Sequence, residues 1–358
     1  NRAHHADIGS ETPGSMPLSS SLFEEGLIIE PSFLVKAGVV DEDYFAGLMK
    51  HMRNRQESSG DFIAQVAANR RGLTRLAALI EKMGLQNYLL SLDLLNGYAA
   101  KLVKDSLCEI KDGEYSFEDV LDDDGQGQED ILIRAAVKFE KGNITLDFTG
   151  SAKQVAGNIN CPLSVTAAAV YYVFRCLMPP QTPACAGSFR SINIVAPKGS
   201  VVNARFPAAV AAGNVETSTR IVDVVLGALS QAIPSRVPAA SHGSMNNLAM
   251  GNTGNRDHAA WDYYETIAGG MGASSISDGL DAVQTHMTNT LNTPIESLEM
   301  KYPLRVNRYQ IRTGSAGQGY FKGGQGLIRE YTFLSPAQVT ILSERRIRQP
   351  WGISLSKG

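Results

Sequence analysis

The sequence has little cysteine and tryptophan, no excess of charge of one sign and no long apolar run. None of its 4 cysteines forms a Cys-x-x-Cys pair, which argues against a zinc ribbon or a redox dithiol. The 33 basic and 36 acidic side chains nearly cancel, so neither nucleic acid nor a membrane surface is expected as a partner. No apolar run approaches membrane-spanning length. With 43% hydrophobic residues, the sequence instead predicts a globular, cytoplasmic protein with reduced thiols.

A phosphate-binding loop is also absent from the sequence. No Gly-x-x-x-x-Gly-Lys-Ser/Thr run occurs, and no glycine-rich stretch lies between a strand and a helix in the order of a dinucleotide site. The glycine-rich stretches 269–272, 314–319 and 323–326 are therefore interpreted as tight turns between strands. No nucleotide-binding residues are predicted in this chain.

Reactive side chains are concentrated in the first seventeen residues. His4, His5 and Asp7 lie within four positions. Imidazole together with carboxylate suits a divalent ion such as zinc, manganese or iron, or a proton-transfer pair. Adjacent histidines need distant partners to complete a metal site. The residues alone therefore leave open a solvated histidine pair or the remnant of an expression tag.

Helical periodicity dominates the region 39–110. Asp41 is expected to cap a short helix and Asp61 a long one that ends at Gly84. A second long helix follows from Leu85 to Val103. The short connection at Gly84 predicts that the two long helices pack as an antiparallel pair.

The acidic segment 111–130 is interpreted as a solvated linker loop, and the alternating residues after it predict a hairpin over 131–148. Helices are expected over Leu163–Leu177 and Glu216–Ile233, and strands over Ser191–Val195, Trp261–Ile267, Leu304–Ile311, Leu327–Phe333 and Val339–Leu342. This order lacks the alternation of a doubly wound sheet. We therefore predict an α+β fold, with a helical N-terminal part followed by a mixed, largely antiparallel β-rich part with packed helices. The expected divisions are a motif segment with covering loops (1–38), a helical region (39–110), the linker (111–130) and a mixed α+β region (131–358).

Several short motifs recur along the chain in an order typical of one family. They are Arg2-Ala3-His4-His5-Ala6-Asp7-Ile8-Gly9, Pro13-Gly14-Ser15-Met16-Pro17, Gly213-Asn214-Val215-Glu216-Thr217-Ser218, Ser244-Met245-Asn246-Asn247, Tyr264-Glu265-Thr266 and His286-Met287-Thr288-Asn289-Thr290. In these motifs the sequence resembles the hydantoinase B family. That family comprises second subunits of ATP-dependent N-methylhydantoinases and caprolactamase, the matching half of 5-oxoprolinases, and a subunit of acetone and acetophenone carboxylases.

The resemblance implies an enzyme, the hydrolytic subunit of an ATP-dependent cyclic amide hydrolase. A hydantoinase A-type ATPase partner in a hetero-oligomer would bind ATP and phosphorylate the substrate, and water activated by a divalent metal would attack the product. It also implies that a portion before the motif, with further metal ligands, is missing from the chain.

The resemblance assigns roles to individual residues as well. His4 is the expected metal ligand, and His5 and Asp7 are expected to orient the ligand or a bound water. Glu265 and His286 are further catalytic candidates, and the expected substrate-binding residues are Asn246, Asn247 and Asn289. Each polar residue after position 240 could equally satisfy buried backbone groups.

Two alternatives remain open on the sequence. One is a subunit of an ATP-dependent ketone carboxylase, in which the same metal site would help to join an enol phosphate to a carboxyl donor. The other is a non-catalytic scaffold that positions the ATPase partner.

Overall fold

The computed structural model describes residues 1, 3, 5, 7–254 and 260–353 of the chain. His4, the expected metal ligand, lies outside the described residues. The described chain contains six α-helices and eleven strands in an α+β arrangement, which confirms the predicted fold class. None of the described helices is long and apolar enough to cross a membrane. All four cysteines are free thiols.

Three helices make up the N-terminal helical region: α1 (Glu42–Met49), α2 (Arg55–Met83) and α3 (Leu85–Leu107). Asp41 caps α1 as predicted, because its carboxylate accepts the backbone N–H of Tyr44 at 3.0 Å. The cap expected at Asp61 is wrong. The cap of helix α2 lies seven residues earlier, where the side chain of Asn54 accepts the backbone N–H of Glu57 at 3.3 Å.

Most leucines of α2 and α3 are exposed. Leu73 of α2 is 67% exposed and Leu94 of α3 is 64% exposed. The buried residues are Ser58 in α2 and Ala99, Val103 and Leu107 in α3. The two helices therefore do not bury their apolar faces against each other, as the expected antiparallel pair would require.

A four-stranded sheet carries the main core. Its strands are β3 (Gly113–Asp123), β4 (Glu129–Glu140), β5 (Asn143–Asp147) and β6 (Ile192–Val195), in that order. The pairs β3–β4 and β4–β5 are antiparallel, and β5–β6 is parallel. The helices α4 (Leu163–Leu177) and α5 (Ser218–Ser230) pack with this sheet in one apolar cluster, and all of α5 except Ser230 is buried. The hairpin predicted over 131–148 is confirmed.

The solvated loop expected over 111–130 is wrong, because β3 occupies most of it and pairs along its length with β4. Tyr115, Phe117 and Leu121 turn inward, and Asp119 lies on the same side of the strand. Glu114, Ser116 and Glu118 turn out, so the period of a strand is present. Asp122 and Asp124 are buried, although they belong to the acidic run. Each carboxylate accepts several backbone N–H groups, which replaces the water it loses.

The second half of the chain forms a three-stranded antiparallel sheet and a hairpin. The sheet has the order β11–β7–β8, with β7 (Asn247–Asn252), β8 (Trp261–Thr266) and β11 (Gln338–Leu342). The strands β9 (Leu304–Ile311) and β10 (Leu327–Phe333) make the hairpin, and the short helix α6 (Ile295–Lys301) precedes β9. A two-stranded ribbon, β1 (Val35–Lys36) and β2 (Val39–Val40), precedes α1. The prediction of largely antiparallel pairing is confirmed.

Candidate functional site

Asp7 fixes the N-terminal motif to the start of α2. Its Oδ1 accepts the backbone N–H of Gly9 at 2.9 Å. Its Oδ2 accepts the backbone N–H groups of Arg53 at 2.6 Å and Asn54 at 2.9 Å. The side chain of Asp7 is buried, so these three donors take the place of water around the carboxylate. Asp7 therefore holds the conformation of the motif.

His5 lies against α2. Its ring stacks on Phe62 with a centroid distance of 4.6 Å. The amide nitrogen of Gln65 is 2.8 Å from Nε2 and can only donate, so Nε2 accepts and the proton of the neutral ring lies on Nδ1. Nδ1 is 3.9 Å from the carboxylate of Asp61 and has no hydrogen-bond partner among the described residues. The histidine is therefore oriented by its neighbours, with one nitrogen left available.

The motif also packs against β7 and β8. Gly14 has a φ of +67°, and a Cβ there would lie 2.9 Å from the Cβ of Ala249, so both the backbone and the space require glycine. The Arg53 guanidinium joins the same contact, donating to the carbonyl of Thr12 at 2.8 Å and to Asp262 at 2.7 Å. The motif, the start of α2 and β8 therefore form one connected unit.

The described residues do not by themselves make a metal site. Among them, no group of three or more His, Cys, Asp and Glu side chains is placed to hold an ion. Both oxygens of Asp7 hold backbone N–H groups, and Nε2 of His5 accepts from Gln65. A metal bound at this motif would therefore need ligands outside the described residues, and His4 is one such residue.

A second group of charged side chains lies on and around α5; we call it the α5 charge cluster. Glu216, Arg220 and Asp223 follow one another at helical spacing and are fully buried. The guanidinium of Arg220 lies 3.3 Å from the carboxylates of both Asp119 and Glu344. Asp223 contacts Arg345 at 2.9 Å and Nε2 of His286 at 3.5 Å. The cluster consists of these seven residues, Asp119, Glu216, Arg220, Asp223, His286, Glu344 and Arg345.

Burial and pairing set the protonation states in this cluster. Burial raises the pKa of Asp223, but the contacts with His286 and Arg345 outweigh it and leave the pKa at about 2. Burial raises the pKa of Glu344 to about 7, although the backbone N–H of Asp122 and the charge of Arg220 both lower this pKa. Burial and the neighbouring Glu344 raise the pKa of Glu216 to about 8. Glu216 is therefore mostly uncharged at neutral pH.

The hydrogen bonds of Glu216 are all made by one of its two oxygens, and they favour the charged form less than burial opposes it. Its Oε1 accepts from Ser244 Oγ, Met245 N and Asn247 Nδ2, each at 3.2 Å. Its Oε2 has no partner among the described residues. Glu216 lies in a π-turn, Gly213–Thr217, just before α5, a local geometry that is frequent at functional sites.

The expected site residues separate into different surroundings. Asn247 bridges Glu216 and the hydroxyl of Tyr264, and His286 contacts Asp223, so both belong with α5. Glu265 points to the opposite face of the sheet, where it accepts from Tyr263 at 2.9 Å and Arg329 at 3.0 Å. Asn289 is exposed. Among the described residues, no hydrogen bond or ion pair joins any of them to His5 or Asp7.

Sequence reasoning missed Arg220, Asp223 and Glu344 as members of the α5 charge cluster. The available signal was the spacing of Glu216, Arg220 and Asp223 in an otherwise apolar stretch. Charged residues at intervals of four and three lie on one side of a helix, and in a buried helix they require partners.

A cavity of about 670 Å³ opens beside β7, between the loops that follow β9, β8 and β11. The charged residues and histidine that line it are Arg312, Arg329, Arg345, Arg346, Glu344 and His242. We call it the arginine cavity. The expected substrate-binding residues Asn246 and Asn247 also line it. Burial lowers the pKa of His242, so this ring is uncharged at neutral pH.

The glycines beside this cavity allow close backbone packing. A Cβ at Gly270 would lie 1.9 Å from the carbonyl oxygen of Gly324, and a Cβ at Gly324 would lie 1.9 Å from that of Leu280. Neither glycine has a positive φ. The interpretation of 269–272 and 323–326 as tight turns is therefore wrong, because these residues are extended segments that touch.

The model of the hydantoinase B/oxoprolinase family matches residues 1–355. The chain therefore belongs to the hydantoinase B/oxoprolinase family, as its motifs indicate. A 5-oxoprolinase from Dictyostelium discoideum is 38% identical over 98% of this chain and 27% of its own length. A protein from Pseudomonas sp. strain NS671, assigned as the B-type component of a D-/L-hydantoinase, is 35% identical over 98% of this chain and 61% of its own length. The chain thus spans 27% to 61% of the length of these relatives.

Solved structures agree with this assignment. The crystal structure of ATP-dependent caprolactamase from Pseudomonas jessenii has a TM-score of 0.84 and 28% identity, over 93% of this chain and 58% of that chain. A nucleotide-free acetone carboxylase structure has a TM-score of 0.86 over 98% of this chain and 49% of that chain. Its identity is 18%, so this second likeness concerns the fold alone.

Proposed function

We propose that the chain is the hydrolytic subunit of an ATP-dependent cyclic amide hydrolase of the hydantoinase, lactamase or oxoprolinase type. The observation that carries the proposal is the agreement between relatives. A 5-oxoprolinase and a hydantoinase component match nearly the whole chain, and a caprolactamase shares its fold at 28% identity. All three names describe the opening of a ring at an amide bond.

The chemistry explains why such a reaction needs two kinds of subunit. The carbonyl of a cyclic amide is a poor electrophile towards water, and phosphorylation of its oxygen makes it reactive. This chain has no phosphate-binding loop, so we propose that a hydantoinase A-type ATPase partner binds ATP in a cytoplasmic hetero-oligomer. The present chain would then act on the phosphorylated ring.

We assign the reactive part of the chain to the motif around His5. Asp7 fixes the loop through three backbone N–H groups, and His5 presents Nδ1 beside Asp61. With its proton on Nδ1, this imidazole can donate a hydrogen bond to a bound water and orient it. We propose His4 as a ligand of a divalent ion, which when bound would supply hydroxide at neutral pH. Among the described residues, His5 and Asp7 would orient that water and hold the motif in place.

Turnover of the intact enzyme that contains this chain tests the proposal. With ATP and a panel of lactams, hydantoins and 5-oxoproline, we expect a ring-opened amino acid in the absence of bicarbonate. Turnover only with a ketone and labelled bicarbonate would favour the carboxylase alternative. Turnover that survives substitution of both His4 and His5 would favour the scaffold.

The nucleotide assignment has its own test. The chain alone should give no micromolar binding of ATP in calorimetry, whereas the complex with its ATPase partner should bind. Micromolar binding by the chain alone would contradict the division of roles.

A further inference from the structure

The arginine cavity has a positive excess among its lining residues. Four guanidinium groups line it, those of Arg312, Arg329, Arg345 and Arg346, against the single carboxyl group of Glu344. Glu344 forms an ion pair with Arg220, a residue that does not line the cavity. Whether a ligand can use the arginines depends on which of them already have carboxylate partners.

Two of the four arginines are already neutralised. Arg329 donates to Glu265 through two nitrogens, at 3.0 and 3.2 Å. Arg345 donates to Asp119 at 2.7 Å and to Asp223 at 2.9 Å. These two guanidinium groups are held rigidly by carboxylates, so they shape the wall rather than supply free charge.

The other two arginines have no carboxylate partner among the described residues. Arg346 donates to Ser343 at 3.2 Å and to the side-chain oxygen of Asn246, both neutral acceptors. The guanidinium of Arg312 makes no hydrogen bond or ion pair with any described residue. Both side chains belong to exposed residues at the cavity, so their charges are accessible. The cavity therefore offers about two uncompensated positive charges to a ligand.

Two buried N–H donors at the cavity also lack a hydrogen-bond acceptor among the described residues. Arg329 Nη1 and Trp351 Nε1 belong to residues that line the cavity, are buried and have no acceptor among the described residues. The Arg329 side chain is 2% exposed. A buried N–H group without an acceptor is unfavourable, and a small shift towards an oxygen-rich ligand would satisfy it.

The remaining walls are apolar or glycine. Ile267, Met271, Phe321 and Leu327 line the cavity, and the touching backbones at Gly270 and Gly324 leave no room for a side chain. A volume of about 670 Å³ lies in the range of small-molecule sites. Charged groups at the rim with apolar walls suit a molecule that has both a charged end and an apolar body.

We propose that the arginine cavity binds a small organic molecule that carries an oxyanion, a carboxylate or a phosphate, on an apolar body, with Arg312 and Arg346 as its charge partners. This site goes beyond the proposed function, because it requires neither ATP nor the motif around His5. Asn246, which Arg346 contacts, is placed to exchange its hydrogen bond for one with the ligand.

Calorimetry on the intact subunit with matched probes tests this proposal. The carboxylate arm compares benzoate with benzamide, and the phosphate arm compares phenyl phosphate with phenol, all at low salt. We expect one or both anions to bind and each neutral analogue to bind at least about tenfold more weakly. The stronger anion identifies the oxyanion that the cavity prefers. Equal binding of an anion and its neutral analogue, or no binding of either anion, would overturn the proposal.

Substitutions locate the binding. Arg312→Gln and Arg346→Gln should each weaken the bound anion about tenfold, and the pair should abolish measurable binding. Arg348→Gln is the matched control, because Arg348 lies two residues from Arg346 but is paired with Asp130 at 2.6 Å and does not line the cavity. Equal effects of the Arg346 and Arg348 variants would mean a general surface charge effect and would contradict the site. Unchanged melting temperatures would exclude misfolding as the cause.

Discussion

The N-terminal motif and the α5 charge cluster hold polar side chains in different ways. In the motif, Asp7 contacts backbone N–H groups, and His5 keeps Nδ1 without a hydrogen-bond partner among the described residues. In the cluster, the charges of Arg220 and Asp223 each face opposite charges inside the core. A change in the cluster would strand a buried charge, whereas a change at His5 would not. We therefore expect substitutions in the cluster to cost more stability than a substitution at His5, whose Nδ1 remains available for chemistry.

Of the substitutions considered, removal of Arg220 from the α5 charge cluster should lower the free energy of unfolding most. Arg220→Met leaves the buried carboxylate of Glu344 without its cation and leaves Asp119 with Arg345 alone. We expect a loss of about 3–5 kcal/mol in the free energy of unfolding, measured by urea denaturation.

The control for this variant is Arg308→Met. Arg308 pairs with Glu330 at 3.9 Å, and both side chains are about half exposed. Such a pair contributes about 0–1 kcal/mol. Similar losses in the two variants would contradict the assignment of stability to the cluster.

Glu216→Gln should change how stability depends on pH. The folded pKa of Glu216 is raised to about 8 from its ordinary value of 4.5, so its favourable contribution is present below pH 4.5 and is lost as the pH rises through 8. The glutamine is neutral at every pH and keeps the oxygen that accepts from Ser244, Met245 and Asn247.

Between pH 6 and 8 we therefore expect the wild-type protein to lose on the order of 1 kcal/mol per pH unit relative to the glutamine variant. Unfolding at several pH values measures the difference. Parallel curves for the two proteins would mean that Glu216 is charged in the fold.

Asp7→Asn should have a smaller effect on stability. The amide has one accepting oxygen in place of two. Either the backbone N–H of Gly9 or those of Arg53 and Asn54 therefore lose their acceptor. We expect a loss of about 1–3 kcal/mol, together with a marked fall in turnover because the motif is no longer fixed. Asp61→Asn, on an exposed residue of α2, is the control for stability. A fully active and fully stable Asp7→Asn protein would argue against the anchoring role.

His5→Ala should be the mildest of these changes in stability. It removes the stacking on Phe62 and the contact with Gln65, for a loss of about 1 kcal/mol. Turnover should fall more than stability, and the fall should be accompanied by an altered pH profile. A drop in activity that merely follows the loss of folded protein would assign His5 to structure.

Local patterns predicted much of the fold. The strands β9 and β10 and the helix α4 occupy the predicted residues, because their apolar side chains follow the period of the element. The strand β3 was not predicted because its acidic residues resemble those of a solvated loop. Their partners, Arg220, Arg345 and the backbone N–H of Arg346, lie more than 90 residues away in the sequence. The strand β7 was not predicted either, because it contains Asn247, Gly251 and Asn252, residue types that are depleted in strands. It forms a strand because it pairs with β8 on one side and β11 on the other.

The candidate site was less predictable than the fold. The resemblance indicated Asn247, Glu265 and His286, but only the folded chain places Glu265 on the opposite face of the sheet from Asn247. The arginine cavity combines side chains from four separate loops and strands, and no local spacing connects them. Asn289, in contrast, matches the motif but has no partner in the described part of the chain.

Metal content in the intact enzyme tests the central claim, that the N-terminal motif carries the reaction chemistry. We expect His4→Ala to lose most of a divalent ion that the wild-type enzyme carries at about one per copy of this chain, and to lose ring opening. His5→Ala should keep most of the ion, and His51→Ala, at an exposed histidine next to the motif, should keep both ion and activity. Full metal occupancy and normal turnover in the His4→Ala enzyme would contradict the account.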